Sequence, residues 1–257
     1  ISNQIIQTSI DELKAITKVD IYVFDLDGIK VAATTEDIEI SREIITGFAA
    51  SPADSQVVGG YHFLKVLDDS EVAYVLASRS NNDDAYMVGK IAVSQIQNLI
   101  IAYKERFDRN NFFQNLILDN LLLVDIYNRA QKLHIEVEGP RIVYLVETRL
   151  EKDSSGMELL RSLFSSQNGD YITAVDEKNI ILIKAVERDA SPESLELVAN
   201  TIVDMMNSEA MLKVRVSYGT VVQELREVSK SYKEATMAMA VGRIFYAEKN
   251  VIAYSTL

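Results

Sequence analysis

The 257-residue chain is 48% hydrophobic and 25% charged, with 38 acidic against 26 basic side chains and a formal net charge of −12. That apolar content suffices for two cores of ordinary domain size, and the charge balance repels phosphate backbones, so these residues are not expected to bind DNA themselves. The absence of cysteine removes disulfides, thiolate metal sites and cysteine nucleophiles together and fits a reducing cytoplasm, while no apolar run reaches the ~18 residues of a membrane span and no membrane partner is expected.

Residues 4–17 carry Ile5, Ile6, Ile10, Leu13 and Ile16 at helical steps, the stripe of an amphipathic helix. Residues 20–27 alternate, with Ile21 and Val23 on one side and Tyr22 and Phe24 on the other, and Asp27-Gly28 turns the chain into 29–34 as a β-hairpin. A short helix over 38–50 is closed by Ser51-Pro52; strands follow over 56–66 and 71–78, joined by Leu67-Asp68-Asp69-Ser70. Gly59-Gly60 marks a bulge or strand start within the first of these. Local hairpins between helices predict an antiparallel sheet with helices on one side or at its ends.

Residues 83–124 are proline-free, contain one glycine, Gly89, and predict one long helix. Ile96, Ile100, Tyr103 and Phe107 fall on a single stripe of it, and a stripe needs a partner. Pairing with a second copy of the chain, a homodimer, is the expectation; folding back onto the domain's own sheet, or a break near Arg109-Asn110-Asn111, are the alternatives. Phe112, Phe113, Leu116, Ile117, Leu121, Leu122 and Val124 widen the apolar face where the helix would enter a second core. The chain thus divides into a first domain over 1–82, a connector over 83–124 and a second domain over 125–257.

In the second half a helix over 124–133 precedes a turn over 134–140 and a core strand over 141–148. Next come a helix over 157–166, a hairpin over 171–186 turning at Asp176-Glu177-Lys178-Asn179, and a helix opened by Pro192 and running to 211. A strand over 214–222, a helix within 225–247 and a strand over 251–254 complete it. The order is β-α-β-β-α-β with a helix and strand appended, a ferredoxin-type layout, and the fold class is α/β of the α+β kind. The chain starts at Ile1 and stops just after a strand, so it is expected to be a fragment.

In the first domain, Tyr61, His62, Lys65 and Arg79 lie on or beside the later strands and could offer fixed donors to an anionic metabolite, with Arg79 best suited to a carboxylate because its planar fork reaches both oxygens. Placement on the solvent face or at a strand end is the plainer reading of each. No catalytic residue, metal site or cofactor is expected: His62 and His134 fall in different domains without HExxH spacing, and GxSxG, P-loop and GxGxxG patterns are absent.

The hairpin Val23-Phe24-Asp25-Leu26-Asp27-Gly28-Ile29-Lys30-Val31-Ala32 and the strand leading directly into the long helix resemble the PAS-like sensory domains of bacterial sugar-diacid (CdaR-like) regulators. Residues 35–48 depart from that family's arginine, glycine and histidine cluster, so the resemblance does not extend to a sugar diacid as ligand. Residues 112–118, Ala130-Gln131-Lys132-Leu133-His134-Ile135, Pro140-Arg141-Ile142-Val143, Val216-Ser217-Tyr218-Gly219 and Ser231-Tyr232-Lys233-Glu234-Ala235 look like the GGDEF-like domain of CdaR and PucR-type transcription factors. The resemblance implies a ligand-sensing regulator whose DNA contact is made only through a helix-turn-helix domain beyond residue 257. It also frames an enzymatic alternative, nucleotide binding or cyclic-dinucleotide chemistry. A cyclase needs glycines at the hairpin turn and strand-end carboxylates for Mg²⁺; here the turn reads Val175-Asp176-Glu177-Lys178-Asn179 without glycine, and Glu147 is the one carboxylate of the first strand. A ligand-free dimerisation scaffold is the third possibility.

Overall fold

The computed structural model describes residues 1–148, 155–165 and 168–257 and divides into two units, Ile1–Phe107 and Asp108–Leu257. In the first unit, α1 (Asn3–Thr17) starts at Ser2, whose hydroxyl accepts the Ile5 amide, and stops at Lys18 in the left-handed region at φ 64°. It is followed by β1 (Asp20–Phe24), β2 (Lys30–Ala33), α2 (Arg42–Ala50), β3 (Ser55–Val58), β4 (Tyr61–Asp68) and β5 (Glu71–Arg79). The strands pair antiparallel in the order β2-β1-β5-β4-β3.

The expected strand over 56–66 is in fact two. Gly59 and Gly60 have φ of 58° and 83°, and two consecutive left-handed residues make the tight turn that returns β3 onto β4. Both faces of the sheet are covered. Ile21, Val23, Leu64, Val66 and Leu76 pack under α1 and the start of the long helix, whereas Tyr22, Phe24, Phe63, Val75 and Ala77 pack with Ile45 and Phe48 of α2. Each such side chain, fully withdrawn from water, contributes about 1.5–3 kcal/mol before entropy is subtracted.

Helix α3 (Ala85–Ile117) runs for 33 residues without a break at Arg109-Asn110-Asn111. It ends seven residues before the expected Val124, because Asp119 turns left-handed at φ 60° and the Asn120 amide donates to Asn115 O at 3.0 Å, closing the last turn. Gly89 lets the helix approach the first sheet: a Cβ there would lie 2.6 Å from Ser78 Oγ and 2.8 Å from Leu64 Cδ1. Among the described residues, no helix is long and apolar enough to cross a membrane.

The second unit adds α4 (Leu123–Lys132), β6 (Glu138–Thr148), α5 (Ser155–Leu163), β7 (Tyr171–Ala174), β8 (Asn179–Ala185), α6 (Pro192–Ser208), β9 (Val214–Tyr218), β10 (Val222–Glu224), α7 (Val228–Phe245) and β11 (Val251–Ala253). The order β11-β9-β6-β8-β7, with only the β11–β9 pair parallel, contains the ferredoxin-type core β9-β6-β8-β7. The α+β expectation therefore holds. Residue 166, the expected end of the α5 helix, lies outside the described residues.

Two predicted elements shift. The turn expected over 134–140 already becomes β6 at Glu138, since β10 pairs there, and the strand expected over 214–222 breaks after Tyr218. Gly219 follows the break: its amide still donates to Val143 O at 3.1 Å, and a Cβ there would lie 2.2 Å from the Ser231 carbonyl oxygen, so only glycine lets the chain pass this close to α7. Every residue from Arg141 to Val146 on β6 is buried, with Val143 and Leu145 facing α4 and α7, and Ile142, Tyr144 and Val146 facing α5 and α6.

Candidate functional site

Alternation decides which expected donors meet. On β4, Tyr61, Phe63 and Lys65 face α2, and on β5 so do Val75, Ala77 and Arg79; His62 points to the opposite face, where its ring lies 5.9 Å from that of Tyr86. Three of the four candidates thus share a face and His62 is separated from them by the sheet. Arg79 Nη1 donates to the Tyr61 hydroxyl at 2.9 Å, and its guanidinium carbon sits 5.0 Å from the Tyr61 ring centre. Lys65 Nζ donates to the Ser51 carbonyl and lies 5.3 Å over the Phe48 ring, so it holds the C-terminal end of α2.

Tyr22 joins this face, which the list of donors missed although its position opposite Ile21 and Val23 signalled it. Its ring meets Tyr61 edge-on at 5.7 Å and its hydroxyl donates to Asp37 O at 3.1 Å. Burial, with Tyr61 and nearby carboxylates adding to it and Arg79 opposing, pushes the Tyr22 phenol up to about 12. Tyr22, Tyr61 and Phe63 are buried under α2, and Arg79 is the half-buried cation at the edge of this face.

The four stripe residues of α3 separate as well. Ile96 and Ile100 are buried in the first unit's own core at 0% and 7% exposure, whereas Tyr103 and Phe107 are exposed at 44% and 66%. The stripe expectation is corrected for the first two: they face the sheet strands, which the helix overruns after Ile100. Beyond that point Ile101 is also exposed, at 62%, and residues 101–108 are exposed on every side. Near this point Gln97 Oε1 accepts the Leu67 amide at 2.9 Å, and Lys104 pairs with Asp68 at 3.9 Å.

At the β7–β8 turn, Asp176 accepts from the Lys178 and Asn179 amides, each at 2.8 Å, and from the Asn179 side chain. Burial opposes ionisation of Asp176, but these hydrogen bonds outweigh it and hold the carboxyl below its ordinary range. Glu147 is ion-paired with Arg243. Among the described residues, no group of three or more His, Asp or Glu side chains is placed to hold a metal ion. His134 follows α4 in the left-handed region, at φ 56°, and is exposed.

No curated protein matches the chain. Among solved structures it is similar to PelD of Pseudomonas aeruginosa PAO1, from residue 158 to the C-terminus, in complex with c-di-GMP, at 13% identity over 95% of this chain and 89% of that one, with a TM-score of 0.31. It is also similar to PelD 156–455 of strain PA14 with c-di-GMP, at 12% identity, 94% and 87% coverage and a TM-score of 0.31. A further crystal structure of the PAO1 protein, from residue 158 to the C-terminus, gives 16% identity, 84% and 82% coverage and a TM-score of 0.32. Residues 120–241 match the family model of the GGDEF-like domain, and a GGDEF-like domain is what this part of the chain is.

Proposed function

We propose that the chain is the sensing and pairing portion of a signalling protein: a small molecule, of carboxylate type, is received at the half-buried Arg79, at the edge of the covered aromatic face, and two copies pair through α3. The observation that carries this reading is the α3 span from Ile101 to Phe107, helical yet exposed on every side, with Ile101, Tyr103 and Phe107 presenting apolar surface to solvent. The exposed Lys104–Asp68 ion pair gives this span little support, so a continuous helix through it is best explained by a partner helix. A second copy supplies the same surface and satisfies it symmetrically.

The GGDEF-like domain serves this reading without catalysis. Asp176 spends its acceptor capacity inside its own turn, Glu147 is occupied by Arg243, and no glycine allows phosphates to approach the turn backbone. Signal transfer then requires only that the ligand bind the two helix arrangements with different affinity. In the finer form of the proposal, which rests on the sequence resemblance to CdaR and PucR-type factors alone, the paired helices position DNA-binding domains of a cytoplasmic transcriptional regulator.

Light scattering and sedimentation of the full chain test the pairing, using Tyr103→Asp with Phe107→Asp as the disruptive pair. A dimer that becomes a folded monomer on this double change is the expected result. A wild-type monomer at high concentration removes the proposal.

A further inference from the structure

In the second unit, beside the loop joining α4 to β6, lies a cavity of about 520 Å³, within the roughly 300–1,000 Å³ of small-molecule sites. Arg109 and Phe113 of α3 line it, with Arg141 from β6, Tyr171 from β7 and Ile183 from β8. Arg141 is the unusual member. It is 8% exposed, its Nη2 donates to Glu136 O, and its buried Nη1 has no hydrogen-bond partner among the described residues. An arginine cannot shed its charge to relieve such burial, and Nη1, closed off from solvent, leaves the guanidinium one hydrogen bond short, so a rotation toward the cavity is needed to bring the unused donor to an acceptor there.

The surroundings narrow what that acceptor is. Asp170, buried on the same wall, is engaged by Lys184 at 3.4 Å and by the Ala185 amide at 3.1 Å. Exposed Glu136 and Glu138 at the rim offset Arg109 and Arg141, which disfavours a multiply charged anion. Phe113 and Tyr171, stacked with ring centres 3.8 Å apart, add an aromatic wall.

We propose that this cavity is a second small-molecule site, for a monocarboxylate with an apolar body, whose carboxylate accepts from Arg141 while the body packs against Phe113 and Tyr171. Because Arg109 and Phe113 belong to α3, an occupant also braces the last turns of that helix. The site lies within the second unit and stands whether or not the first domain is a receptor.

The test titrates the full chain with hydrocinnamate, isocaproate and the neutral hydrocinnamyl alcohol, read by calorimetry and ligand-observed NMR. At least one acid should bind saturably and the alcohol should not. Arg141→Gln should weaken the acid about tenfold or more, while Lys230→Gln, at an exposed cation away from the cavity, leaves it unchanged and inorganic phosphate fails to compete. Failure of both acids to saturate, equal binding of acid and alcohol, displacement by phosphate, or loss on Lys230→Gln but not on Arg141→Gln would each overturn the assignment. Should Arg141→Gln not fold, Arg141→Lys, which keeps the charge but loses the planar fork, takes its place with the same expected weakening.

Discussion

Arg79 and Tyr61 form one unit: the guanidinium both hydrogen-bonds the phenol oxygen, at 2.9 Å, and lies 5.0 Å from the ring centre. Tyr61 is 3% exposed, so its hydroxyl depends on that partner, while half-buried Arg79 keeps donors for something else. Arg79→Ala should therefore destabilise the chain by about 1–2 kcal/mol, combining a charge-assisted hydrogen bond with a cation–π contact. Tyr61→Phe, which keeps the ring, should lose about 1 kcal/mol or less. Urea denaturation checks both, and equal losses would show that Arg79 acts on Tyr61 only through the hydroxyl.

Ile100 and Phe107 share the sequence stripe but differ in surroundings, so the same substitution should act differently at each. Ile100→Asp places a carboxylate in the first unit's core and should unfold that unit or destabilise it by several kcal/mol. Phe107→Asp should leave circular dichroism and thermal stability near wild type while weakening self-association. A comparable stability loss at both positions would mean that Phe107 packs within its own chain.

Gly89→Ala sets helix propensity against packing. Alanine gains about 1 kcal/mol in a helix interior, but its methyl would meet Ser78 Oγ at 2.6 Å, and that hydroxyl is fixed by its 2.7 Å bond to Ala85 O. Overpacking of this kind costs about 1–3 kcal/mol, so the variant should be less stable than wild type. A gain in melting temperature would show that α3 can lift off the sheet.

Asp176 gives the β7–β8 turn a pH signature. Its folded carboxyl is depressed relative to the unfolded chain, so its stabilisation is fully present above the ordinary aspartate range near ~3.9 and is lost as pH falls through the lower folded value. Asp176→Ala should cost about 1 kcal/mol or less at neutral pH, the charge being largely solvent-screened. The difference from wild type should vanish in strong acid. A variant as stable as wild type at pH 7 would show that the turn needs no capping. GTP with Mg²⁺ or Mn²⁺ should not be converted by either protein, and measurable turnover would overturn the non-catalytic reading.

Much of this was legible in the residues. Alternation around Tyr22 and Val23 gave the two faces of the first sheet, and the proline-free stretch from Asp83 gave a helix that proved continuous through Arg109-Asn110-Asn111. What escaped depended on contacts distant in sequence. Spacing alone could not show that Ile96 and Ile100 have a sheet beneath them while Phe107 does not, because that follows from where β4 and β5 end. The helix end at Ile117 rests on a left-handed Asp119, a conformation that aspartate tolerates but does not announce. Gly59-Gly60, expected as a bulge or strand start, does stand directly before β4, but the tight turn back from β3 depends on a pairing that the glycines alone do not announce. The cavity beside Arg141 is built from α3, β6, β7 and β8 together, and no local pattern carries it.

Pairing through α3 is tested most directly by cross-linking, for which the cysteine-free chain is already suited. Single cysteines at Ile101, Tyr103 and Phe107, with Glu177 of the exposed hairpin turn as control, would be oxidised mildly and resolved by non-reducing electrophoresis. A disulfide forms only when Cα atoms come within about 4.4–6.8 Å, so rapid covalent dimerisation at one or more α3 positions, well ahead of the control, is the predicted result. Covalent dimer no faster at any α3 position than at Glu177 would contradict the account.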